Sequence, residues 1–390
     1  MSLWGPLHDR YADERPRKIL ALDGGGIRGI LTLEILKEIE SVLRERTGQP
    51  DLVLCDWYDY VGGTSTGAII AAGLARGMSV DELLGFYEQS GKEMFDKRSI
   101  FHRWKSLYED GPLQRQLRAT FGKDTTLEPE HLRCLLLAVT RNTTTDSPWP
   151  ISSNPLAKYN HPDRPDCNLR IPLWQLVRAS TAAPIFFPPE RVEWDPSDDD
   201  KTFVFVDGGI TPYNNPAFLL YRMATEPAYR LGWASGESQL LITSVGTGAA
   251  PNVQDNVDDP EKNLVSNLAG LPGDLMYACS VDQDTNCRTT GRCVHGDRLD
   301  GEIGDLIPHR EHPDGTTQTI PLSEDLGRAF LYARYNAELT EEGLGALGVT
   351  GIDPEQVAQL DAVDAMDDLR RIGRAVAANV DASHFGTFLD

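Results

Sequence analysis

Basic residues are in short supply: 37 Lys and Arg stand against 59 Asp and Glu, for a formal charge of -22. A chain with this balance lacks the cationic surplus that neutralises phosphates, which argues against sequence-independent binding to a nucleic-acid polymer. The same imbalance weakens any case for standing attachment to an anionic membrane. Cysteine is sparse too. The six, at Cys55, Cys134, Cys167, Cys279, Cys287 and Cys293, are too few for a disulfide scaffold, so reduced thiols are expected. No run approaches the ~18 apolar residues of a bilayer-spanning helix. The stretch from Met1 to Arg17 is polar and mixed in charge, without the apolar core of a signal peptide. A cytoplasmic protein is expected, in contact with a membrane at its periphery at most. Internal repeats and low-complexity tracts are also missing.

What is present reads as an ordinary globular chain, 40% hydrophobic and 25% charged. A short apolar strand, Lys18 to Leu22, runs into a glycine turn. A helix follows in which Leu33, Leu36, Ile39 and Leu43 give one apolar face and Gly48 marks the end. A second strand-turn-helix unit follows: Trp57 to Val61 as strand, Gly62 to Gly67 as sharp turn, Ala68 to Arg76 as a buried helix of small residues. Ser79 and Glu82 stand at capping-box spacing and open the next helix. Leu135 to Thr140, Phe203 to Val206 and Leu240 to Thr243 read as further strands, with helical stretches at Pro172 to Ser180 and Pro216 to Met223. Strands alternating with helices predict an α/β fold of three layers, α/β/α, around a mainly parallel sheet. Beyond about residue 250 the texture changes. An acidic loop runs from Asn252 to Glu261, a Cys- and Gly-bearing segment from Cys279 to Gly304, and two helical patterns lie near Glu324 to Leu339 and Pro354 to Val380. The expected division is an N-terminal extension over 1–15, a catalytic domain over 16–250 and a mostly helical covering or regulatory region over 251–390.

The strongest local signal is Gly63-Thr64-Ser65-Thr66-Gly67 between strand and helix. A serine on so tight a turn needs small neighbours, and the helix behind it aims N–H groups and a positive dipole end at the reacting centre. Gly24 to Gly29 is the second signal: a glycine turn at a helix N-terminus offers unhindered donors for an oxyanion. Gly24-x-Gly26-x-x-Gly29 also fits the dinucleotide fingerprint, which expects an acid roughly 20 residues on, and Asp56 is a late candidate for it. Third is Asp207-Gly208-Gly209 at the end of an apolar strand, where a carboxylate can take a serine proton directly.

In this order the three motifs resemble the patatin-like phospholipase family, with its D-G-G-G-x-R-G loop, G-x-S-x-G elbow and D-G-[AG] base. Arg178 to Pro184 and the Phe186-Phe187-Pro188-Pro189 run that follows also resemble it. The likeness covers roughly residues 16 to 250. It implies a lipid acyl hydrolase that works without metal or cofactor through a Ser-Asp dyad and an acyl-enzyme. Ser65 would be the nucleophile and Asp207 the base. Gly24, Gly25, Gly26 and Arg28 would form or support the oxyanion hole, and Asp23, Gly29, Gly63, Gly67, Gly208 and Gly209 would complete the motifs. It further implies a phospholipid or other acyl-lipid substrate met by transient membrane contact. Some bacterial members serve antiphage defence and are switched on by cyclic nucleotides, so a small activating ligand is a further expectation.

Rival readings remain open at this level. A histidine-based triad would draw on His102, His131, His161, His295, His309, His312 or His384, none in a suggestive context. A lipid-binding or storage protein of the same fold would show little turnover. A nicotinamide-dependent oxidoreductase would use the glycine turn and leave Ser65 and Asp207 without a task. Cys287, Cys293 and His295 carry zinc-binding chemistry without paired spacing, and the acidic run Asp195 to Asp200 lacks ordered calcium-ligand spacing. Lys97 to Trp104 mixes basic and aromatic residues as an interfacial patch does, and Ile185-Phe186-Phe187 suits an acyl-chain pocket or plain core.

Overall fold

Along the first strand, side chains alternate between two separate apolar cores, and that alternation fixes the layering. The computed structural model describes residues 2–95, 111–184, 186–195, 197–251 and 260–389. The basic and aromatic stretch 97–104, Ile185 and most of the acidic loop after residue 251 lie outside them. In chain order the strands are β1 (Arg17–Leu22), β2 (Tyr60–Thr64), β3 (Leu135–Asn142), β4 (Ser147–Ser152), β5 (Glu190–Glu193), β6 (Thr202–Asp207), β7 (Leu240–Val245), β8 (Arg292–His295), β9 (His309–Glu311), β10 (Thr317–Thr319) and β11 (Leu331–Tyr335). β9 and β10 form a separate hairpin; the others form one sheet.

Six strands run parallel in the order β3-β2-β1-β7-β11-β8. At β3 the sheet turns antiparallel, with β4 along one edge, β6 at the far end of the other, and β5 paired to β6. Leu20 and Leu22 of β1 face a core shared with the helices Gly29–Thr47, Thr66–Ala75 and Met366–Ala377. Ile19 and Ala21 face the opposite core, with the helix Ala217–Thr225 and Cys287 of the helix Pro260–Thr290. The result is the expected α/β/α arrangement around a mainly parallel sheet. The helix Val80–Phe95 opens with the predicted box: the Ser79 N–H donates to Glu82 Oε2 at 2.8 Å and the Glu82 N–H to Ser79 Oγ at 3.3 Å.

Three local expectations differ from the structure. Residues Leu54–Trp57 form a helical turn, and the strand begins at Tyr60. The helical pattern near Glu324 to Leu339 is instead a loop and β11, whose five residues are all buried. A strand buried on both faces has no period-2 signal, and Leu, Ala and Arg are good helix formers until pairing with β7 and β8 overrides their propensity. The stretch from Pro354 to Val380 breaks into Pro354–Ala358 and Met366–Ala377. The sheet thus continues past residue 250, since β8 and β11 extend it beyond β7. The helix Met366–Ala377 also packs closely on Gly29–Thr47. Its Gly373 has no room for a Cβ, which would meet the Leu31 carbonyl at 2.7 Å, and buried Glu34 bonds Arg370 at 2.6 Å and Arg374 at 3.2 Å.

Candidate active site

Sheet register brings the serine and the aspartate together. Thr64 of β2 pairs with Val139 of β3, and Asp207 of β6 pairs with the next residue, Thr140. β2 runs with β3 and β6 runs against it, so the carboxyl ends of β2 and β6 meet head to head on one edge of β3. Ser65 Oγ donates to Asp207 Oδ2 at 2.6 Å. Ser65 has φ 54° and ψ −122°, a left-handed backbone that costs a non-glycine residue about 1–3 kcal/mol. Its neighbours show how that turn is tolerated. A Cβ on Gly63 would lie 2.1 Å from the Gly67 carbonyl carbon, and one on Gly67 would lie 2.3 Å from the Leu22 carbonyl oxygen. Strand, turn and the helix Thr66–Ala75 approach more closely than any side chain allows.

Asp207 is 4% exposed. Burial raises its pKa to about 6, against the opposing pull of the Ser65 hydroxyl, the Gly209 N–H and the Arg178 guanidinium. The Gly209 N–H donates to Asp207 Oδ1 at 2.7 Å, which leaves Oδ2 for Ser65. The Asp207 N–H donates to Ala182 O at 2.9 Å, and a Cβ on Gly208 would strike Val139 O at 2.2 Å. The Ser65 N–H donates to Ser180 Oγ at 3.0 Å, and that hydroxyl donates to Val139 O at 2.7 Å. Arg178 donates to Pro188 O at 2.8 Å and lies over the Phe187 ring. A buried carboxylate in contact with a serine hydroxyl can accept its proton without an intervening imidazole. Among the described residues no histidine bonds either group: His131 meets Thr126, and His384 meets Tyr335 and stacks on His295.

The glycine turn lies against the serine. A Cβ on Gly24 would come 3.2 Å from Ser65 Cβ and 2.4 Å from Asn214 Oδ1. The Gly24 N–H is committed to Asn214 O at 3.1 Å, and Gly24 O accepts from Thr247 Oγ1 at 2.8 Å. Among the described residues, the amides of Gly25 and Gly26 reach no protein acceptor. Gly26 has φ +60°, and a Cβ there would lie 2.2 Å from Leu360 O, which accepts the Ile27 N–H at 2.9 Å. Gly25 O accepts from the Arg28 amide at 3.2 Å and from Arg28 Nε at 3.4 Å. Gly29 abuts Thr66 Oγ1, and buried Asp23 forms a two-bond ion pair with Arg334 of β11, 2.9 and 2.5 Å, with Ser244 Oγ accepting a third bond from that guanidinium.

Sequence reasoning passed over Asn214, Thr247, Leu360 and Arg334, each of which touches the glycine turn from a distant stretch of chain. Asn214, shortly after the Asp207 motif, was within reach of a longer motif; the others carry no local signal. The weaker features separate from the site. Asp56 bonds the Val53 N–H and pairs with Arg133. Cys287 and Cys293 are buried in the second core, and Asp195 and Asp198 bond their own turns. Phe187 packs against the first core. Among the described residues no helix is long and apolar enough to cross a membrane, and no group of His, Cys, Asp or Glu is placed to hold a metal ion.

Comparison with known proteins adds sequence likeness to this geometry. The patatin-like phospholipase family model matches residues 20–221. A cGAMP-activated phospholipase of Escherichia coli is 32% identical over 221 residues, 55% of this chain and 57% of that protein. Its Vibrio cholerae counterpart is 31% identical over 244 residues, 59% of this chain and 64% of that one. Patatin-2-Kuras 1 of Solanum tuberosum is 26% identical over 286 residues, 70% of this chain and 71% of that protein. The chain thus spans less than two thirds of the length of either bacterial relative.

Proposed function

The chain belongs to the patatin-like phospholipase family, and from that premise we propose that it is a lipid acyl hydrolase in which Ser65 and Asp207 form the working dyad. The observation that carries the reading is the 2.6 Å contact between Ser65 Oγ and a buried carboxylate, made from a strained turn. Ser65 Oγ attacks the ester carbonyl carbon while its proton passes to Asp207 Oδ2. The carbonyl oxygen becomes an oxyanion, which the uncommitted amides of Gly25 and Gly26 stabilise, with Arg28 bracing their loop. As the tetrahedral intermediate collapses, the ester C–O bond breaks and the departing alkoxide takes the proton from Asp207. Water then repeats the cycle on the acyl-enzyme, giving free fatty acid and restoring Ser65.

A fluorophosphonate probe tests this assignment. Wild-type protein is expected to become labelled and to release fatty acid from phospholipid vesicles, and Ser65→Ala to do neither. Labelling of the Ala variant would remove Ser65 from the mechanism, while labelling without any released fatty acid would favour the storage reading.

The finer proposal concerns setting. The two bacterial relatives are named for activation by cGAMP, and we extend to this chain a small activating ligand and a role as an antiphage effector. It would act from the cytoplasm on membrane lipid, with transient contact at the surface. Adding cGAMP to the vesicle assay should raise fatty-acid release, and cells carrying Ser65→Ala should lose protection against phage. An unchanged rate and unchanged plaque counts would remove the signalling role and leave the hydrolase.

A further inference from the structure

Behind the glycine turn the protein is hollow. A cavity of about 420 Å³ lies between the turn, the later part of the helix Pro260–Thr290 and the segment after β11. Cations line it, and most are already committed. Arg334 is held by Asp23 and Ser244. Arg288 is held by Asp284 and by the carbonyls of Asp297 and Asp305. Arg28 is different. It is 7% exposed, lines the cavity, and among the described residues has no carboxylate within ion-pair distance; its one side-chain bond is the 3.4 Å contact with Gly25 O.

A guanidinium taken out of water without an anion is costly, by several kcal/mol when fully buried. Its pKa accordingly falls to about 10 by burial, with Asp23 pulling the other way. An anion in the cavity would relieve that cost. Arg298, exposed at the rim and bonded through its guanidinium to the Asp300 and Gly301 carbonyls but to no carboxylate among the described residues, puts a second cation on the same lining. Two guanidinium groups suit a phosphate, with its several acceptor oxygens, better than a lone carboxylate. Glu338, Asp297 and Tyr277 also line the cavity, and carboxylates there suit hydroxyl or amino donors on the rest of a ligand.

We propose that this cavity is a binding site for a small organic phosphate ester, with its phosphate seated on Arg28. Because Arg28 Nε and the Arg28 amide both bond Gly25 O, a ligand there bears directly on the turn beside Ser65. Two sources present this chemistry: the phosphodiester headgroup of a lipid in the act of cleavage, and a free nucleotide-like effector. The headgroup source rests on the hydrolase reading, whereas binding as such does not.

The test is calorimetric titration of full-length Ser65→Ala protein, which keeps the cavity lining and turns nothing over, with sn-glycero-3-phosphocholine and separately with cGAMP. At least one probe should bind saturably. Arg28→Gln should weaken it by about tenfold or more, the loss expected of a charged hydrogen bond, and Arg298→Ala by several-fold. Binding of the headgroup probe alone makes the cavity a substrate subsite; binding of cGAMP alone makes it an effector site. Silence from both probes to millimolar concentration overturns the proposal, as does binding indifferent to both substitutions. Should Arg28→Gln fail to fold, Arg298→Ala, at the surface, decides. Fluorophosphonate labelling of wild-type Ser65 reads the hydrolase separately, so the two failures cannot be confused.

Discussion

The serine turn and the glycine turn leave the carboxyl ends of neighbouring parallel strands, β2 and β1, yet they are held in opposite ways. The serine turn is mainly wedged by its own surroundings: Gly63 against Gly67, Gly67 against β1, the Ser65 amide on Ser180. The glycine turn depends on the far end of the chain. Arg334 neutralises Asp23, Leu360 receives the Ile27 amide, and Thr247 fills the space beside Gly25. A motif can therefore be spelled in seven consecutive residues (Asp23 to Gly29) and still owe its shape to residues more than 300 positions away.

The severest way to break this comparison is Arg334→Met. Removing one partner of a buried pair leaves Asp23 charged and uncompensated, at a cost of about 3–5 kcal/mol. Denaturant unfolding should show that loss, and Asp23→Asn added to Arg334→Met should recover part of it. If Arg334→Met unfolds like wild type, the distant support is illusory.

Acidity probes the serine side. As the proposed base, Asp207 is competent only when ionised, and burial raises its pKa to about 6. Turnover should therefore fall about tenfold per pH unit below that value, roughly a hundredfold by pH 4. An activity flat from pH 7 to pH 4.5, in protein that circular dichroism shows folded, would count against Asp207 as the base.

A third probe compares two glycines of nearly equal φ. Gly26 (φ +60°) faces the Leu360 carbonyl, whereas Gly48 (φ +67°) has nothing within 4 Å of a built Cβ. Gly48→Ala should cost only the ~1 kcal/mol of a left-handed alanine. Gly26→Ala should add about 1–3 kcal/mol of overpacking and lower the rate of fluorophosphonate labelling. Equal losses from the two changes would mean that Leu360 gives way freely.

The smallest effect is expected of Ser180→Ala, which strips the Ser65 amide of its acceptor at a cost near 1 kcal/mol, less than about tenfold in rate.

The pattern of what could be read from sequence follows the same division. Lys18 to Leu22, Ser79 with Glu82 and the apolar face from Leu33 to Leu43 carry local signals of period and capping, and the sheet class followed from their alternation. The residues of both turns were legible because backbone chemistry at a tight turn restricts which side chains fit. Arg334 was not. Inside Leu331–Tyr335 no period-2 alternation marks it, since every residue there is buried, and its reason for being buried is an aspartate in another part of the chain. Register was equally hidden: no feature of Thr64 or Asp207 alone says that β3 aligns them on adjacent rungs.

The most direct measurement on the proposed chemistry is kcat for Asp207→Asn, taken on phospholipid vesicles at pH 7.5 with unfolding midpoint measured in parallel. The amide keeps the size of the carboxyl and cannot take the Ser65 proton, so kcat should drop by about a thousandfold or more in a folded protein, the scale seen when a catalytic base is lost. A folded Asn variant working within tenfold of wild type would show that Ser65 draws its reactivity from some other group.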